Sequence, residues 1–285
     1  MDTGRFGQTG SPHPSGDPVW ASRRLRRQIS QARVTVWASW ALPHPTLVWA
    51  IAAAWAVAVA AEMTGRGQLL HHDALAGGGL PPWAALGLFL LAWQLMIVAM
   101  MLPSSLPLIR LFDRVAANQP RPLRAKAAFL GGYAGVWTGF GAAAFLGDLA
   151  IHLLVDRWEW LAARPSLIGG AVLLLAGGFQ FSNLKDRCLR VCRHPGGYLL
   201  QHYRRGTSAA FRLGVGHGVF CLGCCWALML VAFAAGVATL WWMAALTAVM
   251  VFEKTGQGGR RGVRPIGVGL IVLGLMLAAT AAGSP

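Results

Sequence analysis

Six stretches of this 285-residue chain contain no Asp, Glu, Lys or Arg: 34–61, 74–109, 127–147, 165–184, 213–252 and 265–285. A helix that crosses a bilayer needs about 20 mostly apolar residues. Five of the blocks fit one such span each, and the longest fits two if it turns near Ala234-Ala235-Gly236. Inside lipid every backbone N–H and C=O must be satisfied within its own segment, which leaves helices as the economical solution. The expected fold is an all-α polytopic transmembrane bundle of about seven spans. The expected spans are approximately 46–62, 82–102, 127–148, 165–183, 213–234, 237–252 and 265–282. Only 12% of the residues are charged, about half of what soluble domains of this length carry.

The net charge of +15 would fit nucleic acid, but its distribution argues otherwise. The basic residues avoid the apolar blocks and alternate between compartments. Six lie in the N-terminal segment, one in the first loop, five in the second, two in the third, seven in the fourth and four in the last. One side of the membrane thus holds 22 of them and the other 3. This is the positive-inside pattern. It puts the N-terminus in the cytoplasm and the C-terminus outside, in the inner membrane of a bacterium. The partners implied are the lipid bilayer, with anionic headgroups near the basic loops, and no nucleic acid. Residues 1–40 read as a disordered basic cytoplasmic tail and 41–285 as a single integral membrane domain. The first residues lack the apolar run of a cleavable signal peptide, so the first span is expected to serve as the insertion signal.

Gly131, Gly135 and Gly139 form a double GxxxG ladder on the third span, which predicts a close helix–helix contact there. Trp83, Trp158 and Trp160 are placed as interfacial anchors. Asp148 and His152, four residues apart, are placed to pair at the outer surface. His71, His72 and Asp73 read as a polar outer loop with at most weak metal affinity.

The chemistry concentrates in cysteine. All five cysteines fall on two neighbouring segments: Cys188 and Cys192 after the fourth span, and Cys221, Cys224 and Cys225 in the entering half of the fifth. The charge pattern puts both groups on the cytoplasmic side, where thiols are kept reduced. Disulfides are therefore a poor explanation. With His217 as origin and about 100° per residue, Cys221, Cys224 and Cys225 fall at about 40°, −20° and 80°. They share a face with Gly214 and Gly218, and Cys225 lies furthest from its centre. Packing alone is the competing reading, since buried cysteine is a good small apolar filler.

Thiolates select Cu(I), Zn(II) or iron–sulfur chemistry, and imidazole suits copper and zinc. The expected cargo or cofactor is Cu(I) or Zn(II), held by Cys188, Cys192, His217, Cys221, Cys224 and Cys225. The thioethers of Met96 and Met100, with Met101 beside them, are further candidates, and Pro103 ends or kinks their helix. His194 is a weaker candidate. Gln180 can support a ligand by hydrogen bonding. Lys185 and Arg193 either flank the entrance or simply anchor the chain at the cytoplasmic surface. Depth is a difficulty, because Cys221 lies roughly 14 Å along the helix from Arg212. Either the 193–212 loop dips inward or the fifth span begins later, or there are two sites: a cytoplasmic Cys188/Cys192 pair and an intramembrane His217/Cys221/Cys224 group.

Three stretches together carry a family resemblance. They are Trp93-x-x-Met96 with Ala99-Met100-Met101-x-Pro103; Gln180 with Leu184-Lys185-x-x-Cys188-Leu189-x-x-Cys192-Arg193-x-Pro195; and Gly214-x-x-x-Gly218-x-x-Cys221-x-Gly223-Cys224-Cys225-Trp226-x-Leu228-Met229. The combination resembles a bacterial family of predicted metal-binding integral membrane proteins, over roughly residues 45–283. The resemblance implies a membrane helix bundle and metal binding, and some members look like copper-handling proteins. The function expected is therefore metal handling or delivery, with a metalloenzyme or metallochaperone as partner and no enzymatic activity. Two alternatives stay open. Cys221-Leu222-Gly223-Cys224 is a CxxC, which would suit a membrane thiol–disulfide oxidoreductase. A structural subunit of a membrane enzyme is the other. Haem attachment has no support, since no CxxCH occurs.

Overall fold

The computed structural model describes residues 45–65, 81–155, 157–234 and 240–282. Eleven helices and no strands occur among them. They are α1 (Pro45–Met63), α2 (Pro82–Met100), α3 (Leu102–Ala116), α4 (Pro122–Val155), α5 (Glu159–Ala162), α6 (Pro165–Phe179), α7 (Asn183–Arg193), α8 (Pro195–His202), α9 (Thr207–Ala234), α10 (Leu240–Thr255) and α11 (Gly259–Ala282). The tail expected over 1–40, the His71/His72/Asp73 loop and the turn near Ala235-Gly236 lie outside the described residues.

Each of the seven expected spans overlaps a described helix, but the helices are not equal. α1, α2, α4, α9 and α11 are individually long and apolar enough to cross a membrane. α6 reaches that length only together with α7, from which it is bent by 66°. α10, at 16 residues, is shorter than a full span. The chain breaks where prolines dictate. α2 ends at Met100, and α3 restarts at Leu102 with Pro103 in its first turn, where a missing N–H costs nothing. α7 follows α6 across Ser182, whose side chain accepts the backbone N–H of Lys185 and caps the new helix.

Two close helix pairs organise the bundle. A Cβ on Gly132 of α4 would strike the Phe211 carbonyl of α9, and one on Gly214 would strike the Phe129 carbonyl of α4. The backbones are therefore in direct contact there, as small residues permit in membranes. α6 and α11 approach similarly: a Cβ on Gly170 would lie 3.0 Å from the Gly274 oxygen, and one on Gly177 2.8 Å from the Gly267 oxygen. The GxxxG ladder of Gly131, Gly135 and Gly139 is not used in this way, because nothing lies within 4 Å of a Cβ at any of them. The expectation was one residue out of register. Gly132, which sits on the opposite flank, faces α9, and the ladder faces outward.

Side-chain hydrogen bonds tie the remaining layers. Trp55 Nε1 donates to the Ala99 carbonyl, Trp93 Nε1 to the Trp137 carbonyl and Gln94 Nε2 to Thr138 Oγ1. Trp83, Trp158 and Trp160 are exposed, as anchors should be. His152 pairs with Asp148 at 3.5 Å, as the spacing predicts. The three basic loops gather at one end of the bundle. Gln119 donates to Tyr203 across the second and fourth loops, and Arg260 of the last loop pairs with Asp186 of the fourth at 2.8 Å.

Candidate metal centre

Three helices bring sulfur together at that basic end. α9 supplies Cys221, Cys224 and Cys225, all buried. α7 lies across α9 and carries Cys188 and Cys192. Cys192 Sγ stands 3.9 Å from Cys224 Sγ. This is far longer than the ~2.05 Å of a disulfide, and all five cysteines are free thiols. Cys188 packs on Gly223, where a Cβ would come within 2.6 Å of its sulfur. The glycine of the CxGCC motif is thus the notch that admits α7. Beyond the 66° bend at Ser182, α7 packs on α9 and sets Cys192 beside Cys224, so the α7 and α9 thiols share one neighbourhood.

The third sulfur-bearing helix is α2, through a residue at its end. Cys225 Sγ lies 3.6 Å from Met101 Sδ. Met96 and Met100, the expected thioether ligands, are buried in the surrounding apolar core together with the thiols. Met101 marks the break between α2 and α3, and that break turns its side chain toward α9. Cys225, placed at the edge of the ligand face by helix geometry, lies well inside the cluster.

His217 takes a different position from the one its spacing implied. Its ring stacks against Tyr133 and Phe129, with centroids 5.4 and 6.3 Å away, and Nε2 lies 3.2 Å from Ser105 Oγ. The Ser105 hydroxyl is 3.2 Å from the Tyr133 hydroxyl, which is in turn 3.3 Å from Cys221 Sγ. The imidazole therefore reaches the thiols through two hydroxyls. His194 is exposed and its Nδ1 lies 2.8 Å from its own helix carbonyl, Arg190 O. Tyr198 donates to the Leu213 carbonyl at 3.0 Å. Burial, with Cys192 nearby, pushes its hydroxyl up to about 12, so it remains a donor throughout the physiological range.

The residue that sequence reasoning missed is Lys254. Its Nζ donates to Cys221 Sγ at 3.1 Å and Ser104 Oγ at 3.2 Å, with Cys225 Sγ at 3.8 Å and Met101 Sδ at 4.0 Å. Lysine at a helix end normally snorkels to water. Here it is 5% exposed and points inward. A buried ammonium is costly without a compensating partner, and the groups within reach of Lys254 that can ionise to supply one are cysteine thiols. Its neighbour Glu253 forms a buried ion pair with Lys185, Nζ to Oε2 at 2.7 Å. Lys185, expected as an entrance or surface residue, is 1% exposed. Arg193 donates to the carbonyls of Glu253 and Gly256. It closes the C-terminus of α10, where cations are favoured. Gln180 is buried and interacts electrostatically with Glu253, though neither end of its amide is in hydrogen-bond geometry with any group. The signal in the sequence was the Glu253-Lys254 pair directly after a 40-residue charge-free block. Nothing in one dimension distinguishes such a pair from a loop that faces water.

Among the described residues no three His, Cys, Asp or Glu side chains are pre-assembled around one metal position. The donor set is nonetheless soft and compact. Metal–sulfur bonds of about 2.3 Å on each side reach across the 3.9 Å between Cys192 and Cys224. Two more thiols and a thioether surround the Lys254 ammonium, where a cation already stands.

The family model described as PpoB2, copper chaperone, matches residues 90–277. The chain belongs to the PpoB2 copper chaperone family. The matched region runs from α2 to α11 and includes every cysteine and Met101. No curated protein and no solved structure matches the chain.

Proposed function

We propose that this PpoB2 family member is an integral protein of the bacterial inner membrane that takes up Cu(I) as cargo at its cytoplasmic end and delivers it to a copper-dependent metalloenzyme or a second copper carrier. The observation that carries the reading is the meeting of α7, α9 and the α2 end in one sulfur cluster, with the Cys192–Cys224 gap as its open point. Four thiols and a thioether are a donor set for Cu(I) rather than for zinc, whose structural sites draw on thiolate and imidazole without thioether. The family description points the same way.

The residues have distinct parts. Cys192 and Cys224 supply the first two ligands from different helices. Cys221, Cys225 and Met101 join when Lys254 withdraws from among them. The ammonium keeps a thiolate charge compensated while copper is absent, in a place where an isolated charge would be costly. Cys188 and Gly223 set the spacing of α7 on α9. His217, Ser105 and Tyr133 orient Cys221 through hydrogen bonds, as groups behind a metal ligand commonly do.

The test is anaerobic purification with metal analysis and Cu(I) competition titration, comparing wild type with Cys221→Ser/Cys224→Ser and Cys192→Ser. Stoichiometric copper that both variants lose supports the reading. One observation favours a second reading: Cys192 and Cys224 are also close enough to join after a small movement. A metal-free protein that cycles between this dithiol and its disulfide, passing two electrons and two protons to an acceptor, would replace copper handling with thiol–disulfide exchange.

A further inference from the structure

A second built feature lies at the N-terminal end of α7. Where α6 bends into α7 and α11 begins, the helices border an open cavity of about 1080 Å³. Four cationic side chains line it: Lys185, Arg260, Arg261 and Arg264. Acids do not match them. Asp186 borders the cavity and is taken by Arg260 at 2.8 Å and Arg190 at 3.5 Å. Lys185 is taken by Glu253. Arg261 and Arg264 are exposed and have no ion pair among the described residues. The surplus positive charge in the cavity is theirs.

Backbone geometry adds to the same sign. The first turns of α7 and α11 both border the space through Asn183 and Arg260, and a helix N-terminus carries partial positive charge. The Gln180 amide lines the cavity at 4% exposure, with neither Nε2 nor Oε1 hydrogen-bonded. This amide is polar lining for the cavity and also interacts with Glu253. Phe181, which lines the cavity, is 49% exposed. The site sits at the end of the α6 span, at headgroup depth if the basic end faces the cytoplasm.

We propose that this cavity binds a phosphate-bearing anion, with Arg261 and Arg264 as its principal contacts. A phospholipid headgroup and free phosphate share this chemistry. The exposed Phe181 suits the acyl-linked end of a lipid. Basic pockets between spanning helices on the cytoplasmic side recognise such headgroups in other membrane proteins. The proposal does not depend on copper: no cysteine lines the cavity.

The experiment uses full-length protein in nanodiscs of phosphatidylcholine with and without phosphatidylglycerol. Bound phospholipid is read by native mass spectrometry after transfer to detergent, in the presence or absence of inorganic phosphate. Wild type is expected to retain phosphatidylglycerol, and Arg261→Gln/Arg264→Gln to bind it about 30-fold more weakly, from two interfacial arginines. Both positions are exposed, so the variant is expected to keep the wild-type thermal midpoint. Arg204→Gln/Arg205→Gln, in another basic loop, controls for general attraction to the surface. Retention that inorganic phosphate does not displace assigns the site to a lipid headgroup. Displacement by inorganic phosphate assigns it to the free anion. Equal retention by wild type and Arg261→Gln/Arg264→Gln overturns the proposal, as does an equal loss in the control. Copper content, measured on the same samples, separates failure of this site from failure of the copper reading.

Discussion

The Lys185–Glu253 ion pair permits a sharp test of how the site is assembled. Its two side chains are 1% and 2% exposed and meet at 2.7 Å, so solvent screens the pair very little. Lys185 belongs to α7, which carries Cys188 and Cys192, and Glu253 belongs to α10, which carries Lys254. The pair therefore clamps one wall of the thiol cluster to another. Lys185→Met leaves a buried carboxylate whose Oε1 already has no hydrogen-bond partner. Removing one partner of a buried pair costs about 3–5 kcal/mol. At about 2–4 °C per kcal/mol for a chain of this size, the thermal midpoint should fall by about 6–20 °C. Replacing both partners, as Lys185→Met/Glu253→Leu, removes the uncompensated charge and should restore most of the loss, because buried pairs often exchange for apolar residues at little net cost. The assay is thermal unfolding in detergent followed by tryptophan fluorescence, with Cu(I) competition on the same preparations. The single variant should also bind copper more weakly, since α7 is no longer held. A midpoint within about 2 °C of wild type for Lys185→Met, or a double variant as unstable as the single, would refute the clamp.

Gly223→Ala puts a methyl group 2.6 Å from Cys188 Sγ. It should lift α7 from α9, costing about 1–3 kcal/mol and weakening copper retention; unfolding and metal analysis check both. Gly214→Ala drives a Cβ into the Phe129 carbonyl, which cannot rotate away, so it should destabilise more than Gly131→Ala, which meets nothing. Thermal midpoints of the two variants give the comparison. Mild oxidation of copper-free protein should join Cys192 to Cys224, whose sulfurs are 3.9 Å apart, before any other pair. Peptide mapping identifies the bridge, and prior loading with Cu(I) should suppress it.

The helices of this protein were legible because long charge-free apolar runs are a one-dimensional signal. Each of the six charge-free runs contains at least part of a described helix. The break at Pro103 and the common end of the basic loops followed from equally local causes, a missing N–H and a biased charge count. The sulfur chemistry was also legible, since residue type alone makes Cys221, Cys224 and Cys192 soft donors. What failed was what depends on rotation or tilt by a single residue. The ladder of Gly131, Gly135 and Gly139 and the neighbouring Gly132 are nearly equivalent in pattern, yet only Gly132 faces α9. His217 shares a helical face with Cys221, but a face is broad enough for one side chain to turn to Ser105 and the other to Lys254.

The sequence alone determined that this chain is a bundle of apolar helices with its thiols near the basic end, because hydrophobicity, charge and donor chemistry are properties of residues. Only the tertiary structure decided which donors meet. The bend at Ser182 lays Cys192 against Cys224, the end of α2 sets Met101 beside Cys225, and the end of α10 turns Lys254 inward instead of toward water. Each depends on the angle between two helices. Such angles follow from the packing of side chains distant in sequence, and no local pattern encodes them.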